Sequence, residues 1–135
     1  MWVTSTAKPC LIQPSQCVTI TGALKGLKAK ILIDSGFSIN AVSPAFVALS
    51  QVEVFPLDDP IGLQLGYVGS RSKINFGCHT SLTIKARSFN TYLDVVNLDH
   101  YDMVLGISFL TVHSAELRFQ PRGLTLEGKP VVVLR

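Results

Sequence analysis

The sequence predicts an all-β domain, a sandwich or a barrel, and three observations carry that prediction. Short runs rich in Val, Ile, Leu and Thr recur at close, irregular intervals with turn residues between them. Several alternate apolar and polar residues with the period of a strand, as in Val18-Thr19-Ile20-Thr21. Helical signals are few and short.

Residues 1–16 contain Pro9, Pro14 and many small polar residues, which suits an N-terminal arm holding at most one ordered strand. The domain proper is expected over 17–135. Val18 and Ile20 open the first strand, and Lys25-Gly26 turns the chain into "LKAKILI", where Leu27, Ala29, Ile31 and Ile33 share one face. Ser43 can cap free amides and Pro44 suits a first helical turn, so a short helix is predicted through "AFVALS". Further strands are predicted at 52–57, 62–68, 73–76, 81–86, 89–96, 103–105, 116–119, 124–126 and 131–134, with a second short helix at 107–112. Asp58-Asp59 precede Pro60 and read as a polar turn; Pro121 and Gly123 mark a hairpin.

At 135 residues and 47% hydrophobic content the chain suits one domain with its own core. The net charge of +3 is scattered rather than gathered on one face, which argues against nucleic-acid binding. No window approaches the roughly 18 apolar residues of a membrane span, and no signal-peptide pattern opens the sequence. Cys10, Cys17 and Cys78 are odd in number, widely spaced and without metal-site spacing, so free thiols in a reducing, cytoplasmic compartment are expected, with no metal and no cofactor. His79 follows Cys78 directly, and neighbours on a strand point to opposite faces.

The chemistry concentrates in "AKILIDSGFS", residues 29–38, where an apolar strand delivers Asp34, Ser35, Gly36 and Phe37. An aspartate at a strand end can simply cap the next turn. Here, however, Gly36 permits close backbone approach, Ser35 adds a hydroxyl, and Asn40 and Ser43 can stiffen the loop. Peptide hydrolysis by carboxylates needs two, one as base toward water and one as acid toward the carbonyl. Asp58, Asp59, Asp94, Asp99 and Asp102 lack the small residues that follow Asp34, so a catalytic Asp34 would need its mate from a second copy, as a two-fold dimer supplies. No G-x-S-x-G elbow supports a serine hydrolase, and the G-x-x-G of Gly66 to Gly69 lacks the Lys-Ser/Thr ending of a phosphate loop.

"ILIDSGFSINAVSPAFV" resembles the active-site region of retropepsin-like aspartic proteases, particularly those of Ty3/gypsy-type retroelements. "YDMVLGISFL", residues 101–110, resembles the family's later hydrophobic-Gly block, and "LQLGYVGSRSKINF" stands where the flap hairpin belongs. The resemblance implies a closed barrel with a flap hairpin and one or two short helices, assembled as a homodimer that cleaves a peptide or polyprotein. It implies that Asp34 is the catalytic acid of each subunit, that Ser35 bonds across the dimer and that Gly36 meets substrate backbone. Leu105 and Gly106 would support the loop from beneath, and Tyr67, Val68, Gly69 and Ser70 would lie near the tip of a closing flap. The peptide would bind extended between flap and floor.

Phe37 departs from the family's usual alanine at the cleft edge. Its ring either turns away into a compensating space, or narrows the substrate pockets, or closes the site. The last case would make the protein a dimerisation or peptide-binding module rather than an enzyme.

Overall fold

The structure, a computed structural model, describes residues 2–4, 18–64 and 71–134. Among these residues, eleven strands and two helices follow in the order β1 (Trp2–Thr4), β2 (Val18–Leu24), β3 (Leu27–Ile33), β4 (Ala41–Val42), α1 (Pro44–Ser50), β5 (Phe55–Gln64), β6 (Arg71–Ile84), β7 (Arg87–Val95), β8 (Met103–Leu105), α2 (Ile107–Val112), β9 (Glu116–Phe119), β10 (Arg122–Leu126) and β11 (Lys129–Val131). Strands β6, β2, β3, β8, β4 and β7 pair in that order, and β7 pairs back with β6, which closes a six-stranded barrel. Strands β5 and β1 extend from β6, while β9, β10 and β11 form a separate antiparallel sheet.

Local chemistry explains the tight connections. Lys25 and Gly26 both hold positive φ between β2 and β3, as do Glu127 and Gly128 between β10 and β11. Such two-residue turns match the twist of the strands they join. Ser43 accepts the amide of Phe46 at 3.1 Å, and Pro44 fills the first turn of α1, as its sequence predicts.

Both faces of the central strands are covered, so two apolar clusters flank them. Ala29, Ile31 and Ile33 of β3 join the larger cluster, with Met103, Leu105, Val42 and Phe109. Leu32 points the other way, into a second cluster with Ala41, Val104, Ile74, Val96 and Phe37. The alternation of "LKAKILI" therefore ends in a strand segment buried on both sides, as central barrel strands require.

Three sequence-based expectations are corrected. The strands expected at 52–57 and 62–68 overlap one strand, β5, which begins at Phe55 and runs through Asp58-Asp59-Pro60 to Gln64 instead of turning there, while residues 65–68 lie outside the described residues. Its register with β6 shifts between Pro56 and Ile61, an irregularity that tolerates Pro60, which has no N–H to donate. The runs at 73–76 and 81–86 overlap one 14-residue strand, β6, which ends at Ile84 and leaves residues 85–86 to the turn. The last strand is Lys129–Val131, and Leu134 pairs separately with Thr19. No helix among the described residues is long and apolar enough to cross a membrane.

Candidate active site

Strand β3 lies between β2, which runs antiparallel to it, and β8, which runs parallel with Ile33 opposite Leu105. The ladder continues one bond beyond the strand, where the Asp34 amide donates to the Leu105 carbonyl at 3.0 Å. The chain then turns sharply: the Phe37 amide donates to the Asp34 carbonyl at 3.1 Å, and the Gly36 amide donates to Asp34 Oδ1 at 3.0 Å. That side-chain bond is the turn-capping role open to any aspartate, yet it uses only one oxygen.

The other oxygen distinguishes the site. Asp34 is 9% exposed, and its Oδ2 is buried with no hydrogen-bond partner among the described residues. A buried polar atom left in this state costs about 1–3 kcal/mol. Burial pushes the carboxyl above its ordinary pKa, and the bond from Gly36 partly offsets the shift. The result is a carboxyl with one oxygen fixed and the other buried without a hydrogen-bond partner among the described residues.

The two sequence blocks meet around this turn. The Ile107 amide donates to the Phe37 carbonyl at 2.8 Å, and the Gly106 amide donates to Asn40 Oδ1 at 3.0 Å. A Cβ on Gly106 would collide with the carbonyl oxygens of Phe37 and Ile39, so only glycine lets the start of α2 come this close. Leu105 is fully buried beneath the loop. Ser35 is exposed and Gly36 half-buried, beside the Asp34 carboxyl.

The sequence puts Phe37 at the cleft edge, whereas the structure buries its side chain. Phe37 is 4% exposed and belongs to the second cluster, with Leu32, Ala41 and Ile74. Ile39, Leu57, Ile61 and Tyr101 pack against the same cluster, so the larger side chain is accommodated within the barrel wall. Tyr67, Val68, Gly69 and Ser70 lie outside the described residues. The stems that lead to them are described, with Ile61 opposite Ile74 and Gln64 opposite Arg71.

Two other acids are engaged elsewhere. Asp102 accepts the Lys30 amide at 2.8 Å. Asp94 is buried, and its Oδ1 accepts the Tyr92 hydroxyl at 2.8 Å. Burial raises both Asp94 and Tyr92; the hydrogen bond between them pulls Asp94 back down and pushes Tyr92 further up. This pair escapes sequence reading, although Tyr92 and Asp94 stand two apart on a strand and so share a face. No group of three or more potential metal-ligating side chains occurs among the described residues.

A family model described as retroviral aspartyl protease matches residues 6–130. The crystal structure of the retroviral protease-like domain of Ddi1 from Leishmania major is similar to this chain with a TM-score of 0.68 at 13% identity, over 88% of this chain and 94% of that one. The EIAV protease complexed with the inhibitor HBY-793 is similar with a TM-score of 0.57 at 18% identity, over 74% of this chain and 90% of that one. At such identities the likeness is one of fold. No curated protein matches the sequence.

Proposed function

The chain belongs to the retroviral aspartyl protease family, and from that premise we propose that it is a homodimeric aspartic endopeptidase acting on an extended peptide, such as a segment of a retroelement polyprotein. The observation that carries this reading is the buried Oδ2 of Asp34, which has no hydrogen-bond partner among the described residues. A two-fold axis beside that oxygen brings a second Asp34 carboxyl to it, and one shared proton then satisfies both.

The raised pKa of each carboxyl favours retention of that proton. The ionised member takes a proton from water as the water oxygen bonds to the peptide carbonyl carbon. The protonated member gives its proton to the carbonyl oxygen. Collapse of the tetrahedral species, with proton transfer to the amide nitrogen, breaks the C–N bond and regenerates the pair. In this scheme Gly36 fixes each carboxyl through Oδ1, and the exposed Ser35 bonds between the two loops.

The alternative is a retropepsin-fold binding module with its cleft blocked by Phe37. The packing of that ring with Leu32 and Ala41 in an apolar cluster supports the enzyme reading. Asp34→Asn tests the proposal: it should abolish cleavage of a denatured polypeptide substrate while the chain still sediments as a dimer. Undiminished cleavage by this variant refutes the mechanism, and a monomer at all concentrations refutes the assembly.

A further inference from the structure

Strand β1 runs parallel to the end of β5, with Trp2 opposite Gly62, Val3 opposite Leu63 and Thr4 opposite Gln64. Over the same residues β5 pairs through its other edge with β6, from Gly62 opposite Lys73 to Gln64 opposite Arg71. The chain's own N-terminal strand therefore covers the edge of β5 that β6 leaves open. An open strand edge is a template for any extended backbone, because its N–H and C=O groups pair without regard to side-chain identity.

The position of this edge ties it to Asp34. Leu57 and Ile61 of β5 pack against the cluster that contains Phe37, three residues after Asp34. Gly62, the next residue along, is buried. An extended chain on β5 at this level thus runs on the same strand that packs against the Asp34 loop.

We infer that the β5 edge at Gly62–Gln64 is a strand-addition site for an extended polypeptide, and that residues 2–4 are its intramolecular occupant, competing with substrate. Trp, Val and Thr all favour extended pairing, which suits the segment to the role. A ladder of three residue pairs is weak by itself, but covalent tethering presents it at an effective concentration on the order of millimolar. Such an occupant slows peptide entry and still yields to it. The identification of the competing peptide as substrate rests on the protease reading above; the strand-addition site does not.

The experiment compares the full chain with a variant lacking residues 2–4 and with Val3→Pro, whose proline has no N–H to give the ladder. Hydrogen–deuterium exchange at those amides of residues 62–64 that face β1 should speed up about threefold to tenfold in both variants. Millimolar synthetic peptide of residues 1–8 should restore protection to the deletion variant. Unchanged exchange, or no protection by the peptide, overturns the site.

In cleavage of fluorescent casein, both variants should show KM lowered about threefold to tenfold at unchanged kcat, the shift expected from removing a millimolar internal competitor. Faster exchange with unchanged KM overturns the competition. If no form of the chain cleaves casein, the protease reading falls, and the exchange measurements alone decide the site.

Discussion

The backbone amide of Gly106 donates to the side-chain oxygen of Asn40 at 3.0 Å, which ties the start of α2 to the loop that begins at Asp34. The two residues are 66 apart in sequence, and their bond joins the two blocks on which the candidate site is built. Gly106→Ala should break this arrangement, because the added methyl meets the carbonyl oxygens of Phe37 and Ile39, and backbone cannot swing aside as a side chain can. A loss of about 1–3 kcal/mol or more is expected in urea unfolding. Asn40→Ala should lose about 1–3 kcal/mol by orphaning the Gly106 amide, and Asn40→Asp, which keeps the acceptor, should lose less.

Phe37→Ala removes a ring that is 4% exposed. The cavity left behind should lower unfolding free energy by about 3–5 kcal/mol. Phe37→Leu should retain most of the stability. A ring lining the cleft would behave differently, with altered cleavage preference and little change in the urea midpoint, so the two measurements together locate it.

Asp34 and Asp94 both have carboxyls held above their ordinary pKa of 3.8 by burial. Over the interval between that value and the raised ones, the folded chain binds more protons than the unfolded chain. Stability of the single chain is therefore greatest at low pH with respect to these two groups, and it falls as pH rises through their folded values. Urea titrations at a series of pH values should show a shallower fall in Asp34→Asn than in the parent. Tyr92→Phe should show a steeper one, since the Tyr92 hydroxyl is what holds Asp94 partly down.

Cys78 is fully buried, and its thiol is pushed up to about 11, first by burial and then by the nearby Asp94. The thiolate is the reactive form, so alkylation of Cys78 by iodoacetamide at pH 8 should be slower in the folded chain than in urea by about two orders of magnitude. Peptide mass mapping distinguishes it from Cys10 and Cys17. Equal rates would mean that the β6–β7 region opens readily.

Elements with strong local chemistry are legible in the order of residues alone. The β2–β3 hairpin follows from Val18-Thr19-Ile20-Thr21, Lys25-Gly26 and "LKAKILI". Helix α1 follows from Ser43-Pro44, and β8 and α2 from "MVLGISFL". The course of β5 through Asp58-Asp59-Pro60 is not legible, because two acids before a proline signal a turn locally. A strand can carry them only where its pairing is irregular. The two-residue strand β4 is too short to leave a period, and it exists because β8 and β7 present edges to Ala41 and Val42.

By itself the sequence determined the all-β class, the singular setting of Asp34 among the acids, and the two blocks that meet at the site, since strand period, turn residues and a strand-to-carboxylate junction are local patterns. The burial of the Phe37 side chain, the burial of Asp34 Oδ2 without a partner among the described residues, the Tyr92–Asp94 bond and the seat of β1 on β5 were decided only by the tertiary structure. Each depends on which atoms distant segments bring together. Burial, desolvation and hydrogen-bond satisfaction are properties of that packed surrounding, and a residue's neighbours in sequence do not specify it.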